Sequence, residues 1–207
     1  EEGGVFMMMN IGFLIISIAI IIDRSVAVFF QLHLDGTRFM QQVEKLVVSN
    51  NIDKAVKLCN AAPKAALARV LRAGLTRANR GVLEIGNAIE EETLSVTPQV
   101  MKRVPALWSL ANIAVLVGLL GTVTGLIKAF GALGQAAPEQ KQILLTQGIS
   151  EALNNTAFGL FIAVVCIASH LVISSRAKKI VEEIELNSLK LENMLTRRAV
   201  AELPEGR

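Results

Sequence analysis

The chain has 207 residues, of which 52% are hydrophobic, 19% are charged and only 4% are aromatic, and its mean hydropathy is +0.49. This length would suit one or two soluble domains, but the apolar residues are gathered into long blocks, which excludes an ordinary soluble fold. The net charge of +3 and the pI near 9.0 do not indicate nucleic-acid binding, because basic residues beside membrane helices account for the excess.

Three stretches lack any charged side chain and are 18, 24 and 24 residues long: Val5–Ile22, Val104–Ile127 and Ala152–Ser175. At about 1.5 Å per residue, each is long enough to cross a hydrocarbon core of about 30 Å. A soluble helix of this length would carry a polar stripe, whereas these stretches contain only scattered Asn, Ser and Thr. The sequence therefore predicts an all-α integral membrane protein with three transmembrane helices.

Lys and Arg are distributed unevenly around the three predicted spans. Residues 24–103 carry 12 of the 21 basic residues and the tail from Arg176 carries seven, whereas the turn after the second span carries only Lys128 and Lys141. We predict a protein of the bacterial inner membrane. The positive-inside rule then places its N-terminus in the periplasm and its C-terminus in the cytoplasm. The first span has no basic segment before it and no small-residue cleavage site after it, so a signal peptide is not predicted.

These assignments divide the chain into four regions. Residues 1–27 form the periplasmic N-terminus and first transmembrane helix, 28–103 a cytoplasmic helical region, 104–175 the second and third transmembrane helices with a short periplasmic turn, and 176–207 a cytoplasmic C-terminal helix. Long helices are expected to extend from the membrane into the cytoplasm. The C-terminal helix carries an apolar stripe formed by Ile180, Ile184, Leu191 and Leu195.

Local signals predict where several helices begin, bend or end. Apolar periodicity predicts an amphipathic helix over 64–78, and Asp53 is expected to cap the short helix before it. Pro98 and Pro105 should interrupt or bend the helix that approaches the second span. Pro138 suits the first position of the helix that contains the third span.

The spans carry small residues at four-residue spacing. Gly118 lies four residues before Thr122, and Gly121 lies four residues before Gly125, so small side chains share one face of the second span. In lipid such a face lets two helix backbones approach closely. A helix-packing role is predicted for five glycines: Gly118, Gly121, Gly125, Gly148 and Gly159. We expect these faces to pack against neighbouring subunits.

Polar side chains cluster at the head of the third span, between Ser150 and Thr156. At membrane depth they are costly unless they face protein or water. Glu151 is the only acid near that depth. Helical rise places Lys128 at a similar height in the membrane. Glu151 is therefore either an ion-path residue or the partner of Lys128 in an ion pair. The Thr122 hydroxyl can bond its own helix or face a polar passage. The residues alone leave these alternatives open.

The sequence contains no Ser/His/Asp set, no metal-ligand spacing and no phosphate-binding loop. Cys59 and Cys166 are far apart and predict neither a disulfide nor a metal site. His170, near the inner end of the third span, is more typical of a neutral histidine near the headgroups than of a proton relay. An enzyme is therefore not predicted, and neither are catalytic residues, a metal or a cofactor.

Motifs in the second and third spans resemble one family of membrane proteins. The motifs are GLLGTVTG at 118–125, then Ala129-Phe130, then GISEAL at 148–153 with TAFGL at 156–160. With three spans and a large segment between the first two, the whole chain resembles the ExbB/TolQ/MotA proton-channel family, closest to ExbB and TolQ. The family often has Pro where Val115 and Val165 stand here, so the resemblance does not decide whether the second and third spans are kinked.

The resemblance implies a pentamer of this subunit around a dimer of single-span partner helices like ExbD or TolR, whose membrane Asp is protonatable. It implies that Thr122 and Thr156 line the lumen and that Glu151 is a polar gate or ion-path residue. The implied function is a motor subunit driven by the proton-motive force, since one charge crossing about 100 mV releases about 2.3 kcal/mol.

Two rival functions are weighed against the motor. A passive or tension-gated three-span channel would line its conduit with the third helix, but such channels carry a strand-rich domain after that helix. Here about 32 residues follow, with a helical pattern, which counts against a channel of this type. The other rival is a membrane scaffold that conducts no ions.

Overall fold

The computed structural model describes residues 4–32, 34–134 and 137–201, with side chains described through residue 198. The described helices are α1 (Gly4–Val26), α2 (Gly36–Val48), α3 (Ile52–Asn60), α4 (Ala66–Thr76), α5 (Val82–Met101), α6 (Val104–Leu133) and α7 (Pro138–Ala201), with a π-helical turn at Ala27–Gln31. No strand occurs within these ranges. Three helical segments are long and apolar enough to cross a membrane, which confirms the predicted all-α fold with three spans.

The chain divides into two compact units. The first contains Glu1–Arg24 and Arg103–Val172, and the second contains Ser25–Lys102 and Ile173–Arg207. The first unit therefore holds most of α1, all of α6 and the first part of α7. The second holds α2 to α5 and the remainder of α7. The helix α7 thus belongs to both units.

The core of the second unit is built around α4, which buries seven residues between Ala66 and Leu75. A Cβ on Gly74 would lie 2.8 Å from the Ile89 side chain of α5 and 3.4 Å from Leu191 of α7. All four residues of the predicted apolar stripe on α7 are buried, including Ile184 at 0% exposure. The stripe therefore faces protein, as its helical spacing indicates.

Helix ends follow the sequence signals at most positions. α7 begins at Pro138 as predicted, and α4 is two residues shorter at each end than the predicted helix over 64–78. Pro98 does not end α5, which continues past it to Met101. The break before α6 comes at Arg103, which adopts a left-handed conformation with φ of 59°. The prediction for Asp53 is wrong, because Asn51 occupies the N-cap of α3 and Asp53 lies in its first turn. In the first turn, the negative charge of the Asp53 carboxylate still stabilises the helix, because it lies near the positive end of the helix dipole.

Both cysteines are free thiols in buried positions. Burial raises the pKa of the Cys59 thiol to about 11, and the charge of Arg72 only partly opposes that rise. The thiol is therefore uncharged at neutral pH, and Cys59 packs as a small apolar residue of the second unit.

Candidate functional site

The helices α6 and α7 approach each other through glycines. A Cβ on Gly159 would lie 2.6 Å from the Ala114 carbonyl oxygen, and a Cβ on Gly118 would lie 3.0 Å from the Asn155 carbonyl oxygen. Because these neighbours are backbone atoms, rotation of a side chain cannot relieve the overlap. The two backbones therefore touch directly, as small residues permit between helices in lipid.

The other three glycines extend this contact, which we call the α6–α7 seam and define by Gly118, Gly121 and Gly125 on α6 with Gly148 and Gly159 on α7. Gly121 lies against the Asn155 side chain, Gly125 against Ala152, and Gly148 against Ala129. The seam lies within one chain. The expectation that these glycine faces contact neighbouring subunits is therefore corrected: α6 and α7 of the same chain already occupy these faces.

Thr122 and Thr156 meet at the α6–α7 seam, where their hydroxyls hydrogen-bond to each other. The Gly118 carbonyl oxygen lies 3.1 Å from the Thr156 hydroxyl and 3.3 Å from the Thr122 hydroxyl, and the Ala152 carbonyl oxygen lies 3.2 Å from the Thr122 hydroxyl. Each hydroxyl has one proton to donate, so the pair has more acceptors than donors and can change donor direction without moving. Both threonines are half-buried in the chain, and their place in a lumen stays a prediction.

Glu151 is half-buried and borders two spaces. The first is a partly open cavity of about 270 Å³ among α1, α6 and α7, which Lys128 also lines. The second is an open groove on α7. One carboxylate oxygen of Glu151 lies 3.7 Å from the point that a Cβ on Gly4 would occupy, beside the first turn of α1. The ion pairs of the described residues do not join Lys128 to Glu151, and that pairing stays a prediction.

The open groove, of about 760 Å³, follows what we call the polar face of α7: Gln142, Thr146, Gln147, Ser150, Glu151 and Asn154. Ser150 and Asn154 are exposed. Asn155, next to Asn154, packs on Gly121. By helical rise, Gly121 lies about 25 Å along α6 from Val104, where the predicted second span begins. Asn154 therefore lies at membrane depth, where an exposed amide needs protein or water beside it.

Several contacts in the first unit escaped sequence reasoning. Asn10, Ser17 and Arg24 are the buried residues of α1, at seven-residue spacing, so every fully buried position of this helix is polar. At the other end of the unit, Arg103 donates to the Asp23 carboxylate at 3.1 Å, across 80 positions of sequence. The only signal in the sequence was the polar breaks in an otherwise apolar span, and this signal does not say which side of the helix is buried.

His170, the one histidine of the third span, contacts the beginning of α6. The Nδ1 atom of His170 lies 3.0 Å from the Val104 carbonyl oxygen, and its ring lies 6.0 Å from that of Trp108. Because a carbonyl oxygen only accepts, Nδ1 carries the proton in this hydrogen bond. His170 thus ties α7 to the first turn of α6.

Residues 62–186 match the MotA/TolQ/ExbB proton channel family, a range that covers more than half of the chain and includes the seam and the polar face of α7. The chain belongs to this family. The ExbB-like 3 biopolymer transport protein of Synechocystis sp. is 32% identical over 165 residues, which are 78% of this chain and 77% of that protein. The Tol-Pal system protein TolQ of Haemophilus influenzae is 38% identical over 81 residues, which are 39% of this chain and 35% of that protein.

Membership in the MotA/TolQ/ExbB family confirms the resemblance that the motifs indicated. Together with the three apolar helices, it makes the chain a multi-pass membrane protein and a subunit of the proton-channel motor type. The family is a transport family and not an enzyme family.

Proposed function

We propose that the chain is the ring-forming subunit of an inner-membrane motor that couples the proton-motive force to movement of a single-span partner resembling ExbD or TolR. The observation that carries the proposal is the exposed polar face of α7, with Ser150 and Asn154 uncovered in the single chain. Hydrocarbon does not solvate such a face. A ring turns it toward a neighbouring subunit or a hydrated lumen.

In the proposed ring, five copies enclose a dimer of the partner, whose membrane Asp carries the proton. The N-terminus is periplasmic, and regions 28–103 and 176–207 are cytoplasmic, since 19 of the 21 basic residues fall in 24–103 and from Arg176 onward. The α6–α7 seam holds each subunit together, and the remaining faces of the spans contact neighbours and lipid.

The Thr122–Thr156 pair suits a lumen through which a protonated Asp moves. Its hydroxyls offer donors and acceptors without a fixed charge, so they can solvate the carboxyl group without trapping it in an ion pair. Once protonated, the partner Asp is neutral and passes an apolar wall at much lower cost. About 2.3 kcal/mol per proton at about 100 mV can bias rotation of loosely packed helices, although it cannot separate a well-packed interface.

Assembly is the first test of the proposed function. Native mass spectrometry of the full chain in mild detergent should give a mass of five copies, and of five plus two when the partner is co-expressed. A dominant monomer or dimer would contradict the ring, because the polar face of α7 would then have no cover.

The threonine pair provides a second test. Thr122→Val and Thr156→Val each remove one hydroxyl at nearly constant volume, so the ring should assemble while partner-dependent proton uptake falls about tenfold, the effect of about 1.4 kcal/mol on a barrier. Thr76→Val is the matched control, because Thr76 is exposed at the end of α4, outside the three spans, and its hydroxyl bonds the Ala73 carbonyl of its own helix at 2.9 Å. Full uptake in both seam variants would show that the threonines do not line the proton's route.

A further inference from the structure

An unpartnered amide borders the cavity among α1, α6 and α7. Asn155 is 3% exposed, and its side chain is packed against Gly121 of α6. Its Oδ1 has no hydrogen-bond partner among the described residues, and Asn155 lines the cavity. A buried oxygen left without a partner costs about 1–3 kcal/mol, so a group outside the described residues is needed beside it.

A second unpartnered amide lies close to the cavity on α1. Asn10 is fully buried, and neither its Oδ1 nor its Nδ2 has a partner among the described residues. Phe6 lines the cavity, and Asn10 lies one turn further along the same face of α1. By helical rise Asn10 is about 9 Å deeper than Gly4, and Asn155 is about 6 Å deeper than Glu151. Asn155 therefore marks the deep end of the cavity, and Asn10 lies one turn beyond the lining residue Phe6.

The cavity meets the two conditions for holding water, which are polar partners and room. Its volume of about 270 Å³ corresponds to about nine water molecules at liquid density. Its polar lining is supplied by Thr124, Lys128, Gln147, Glu151 and Asn155. Deeper in the same unit, the helices meet in an apolar cluster that includes Ala111, Ala114 and Ala163, which offers water no partner.

We propose that this cavity holds a cluster of ordered water molecules that bonds the Asn155 amide and the Glu151 carboxylate, and that gives Glu151 a proton-exchange route inside its own subunit. Glu151 borders both this cavity and the open groove on α7, so it can contact water in the cavity and a group that faces the groove. The presence of the water is independent of the motor. Only the use of Glu151 in proton exchange rests on the proposed function.

Water-edited solid-state NMR of the isotope-labelled full chain in lipid vesicles tests the proposal. Magnetisation from water should reach Asn155 and Gly121 several-fold faster than Ala163 and Ala114, which are as deeply buried but lie in the apolar cluster. Equally slow transfer at all four residues would overturn the water cluster.

Two matched variants sharpen this measurement. Asn155→Leu replaces the amide by an apolar side chain of similar size and should slow transfer to Gly121 several-fold. Asn154→Leu, on the exposed face of α7, should leave that transfer unchanged. Equal effects of both variants would overturn the assignment, and if Asn155→Leu does not fold, the comparison of Gly121 with Ala163 in the unaltered chain decides. Fast transfer at Gly121 in an assembly that takes up no protons would support the water cluster and contradict only the motor.

Discussion

Glu151→Gln is expected to leave the ring assembled and to lower partner-dependent proton uptake by about 10²- to 10⁴-fold, the usual contribution of a positioned proton-transfer group. Gln keeps the size and hydrogen bonding of Glu but cannot hold and release a proton. Uptake by vesicles that contain the chain and its partner measures the effect. The matched control is Glu139→Gln, which changes an exposed acid in the first turn of α7 and should preserve uptake.

The competing explanation is that Glu151 and Lys128 form a structural ion pair. Both residues line the same cavity, so a pair that forms on assembly would make Lys128→Met as damaging as Glu151→Gln, since each variant leaves one charge unpaired near lipid. A double-mutant cycle separates the two explanations. We expect independent effects, with only Glu151 essential. Strong coupling, with uptake restored in the double variant, would overturn the ion-path role.

The second large effect is expected at the α6–α7 seam. Gly159→Val should destabilise the chain by about 3 kcal/mol and abolish the ring, because even its Cβ would meet the Ala114 carbonyl oxygen at 2.6 Å and the Gly118 Cα at 3.2 Å. Both neighbours are backbone atoms, so the helices must separate. Detergent-unfolding titration measures the free energy of unfolding, and native mass spectrometry measures the loss of the ring.

Gly12→Ala is the control for the seam, because a Cβ on Gly12 of α1 would meet nothing within 4 Å. Its effect should stay within about 1 kcal/mol, the difference in helix propensity between Gly and Ala. If Gly159→Val were as mild as Gly12→Ala, the two helices would not pack through this glycine in the membrane.

The spans were predictable because a bilayer acts on side chains one by one. A charged residue is costly at any depth of the hydrocarbon, so an uninterrupted block such as Val104–Ile127 is already the signature of a spanning helix. Proline and apolar spacing act just as locally, which is why the start of α7 at Pro138 and the buried face of Ile184 were predicted correctly.

The partners of those helices were not predictable, because a pattern states what a face permits and not what it meets. Small residues at Gly118 and Gly159 predict close approach, but not whether the partner helix belongs to the same chain or to a neighbouring subunit. Asn10 reads as a break in an apolar run, and only the fold shows that it is buried. The bond between Asp23 and Arg103 joins residues 80 positions apart, beyond any local periodicity.

Proton uptake by lipid vesicles that contain the chain with and without its single-span partner tests the motor most directly. Under an imposed inward potential, we predict uptake only when both proteins are present, and its loss when the partner's membrane Asp is replaced by Asn. Equal uptake by the chain alone would indicate a passive channel, and no uptake with both proteins present would indicate a scaffold. Either result would contradict a motor driven by the proton-motive force.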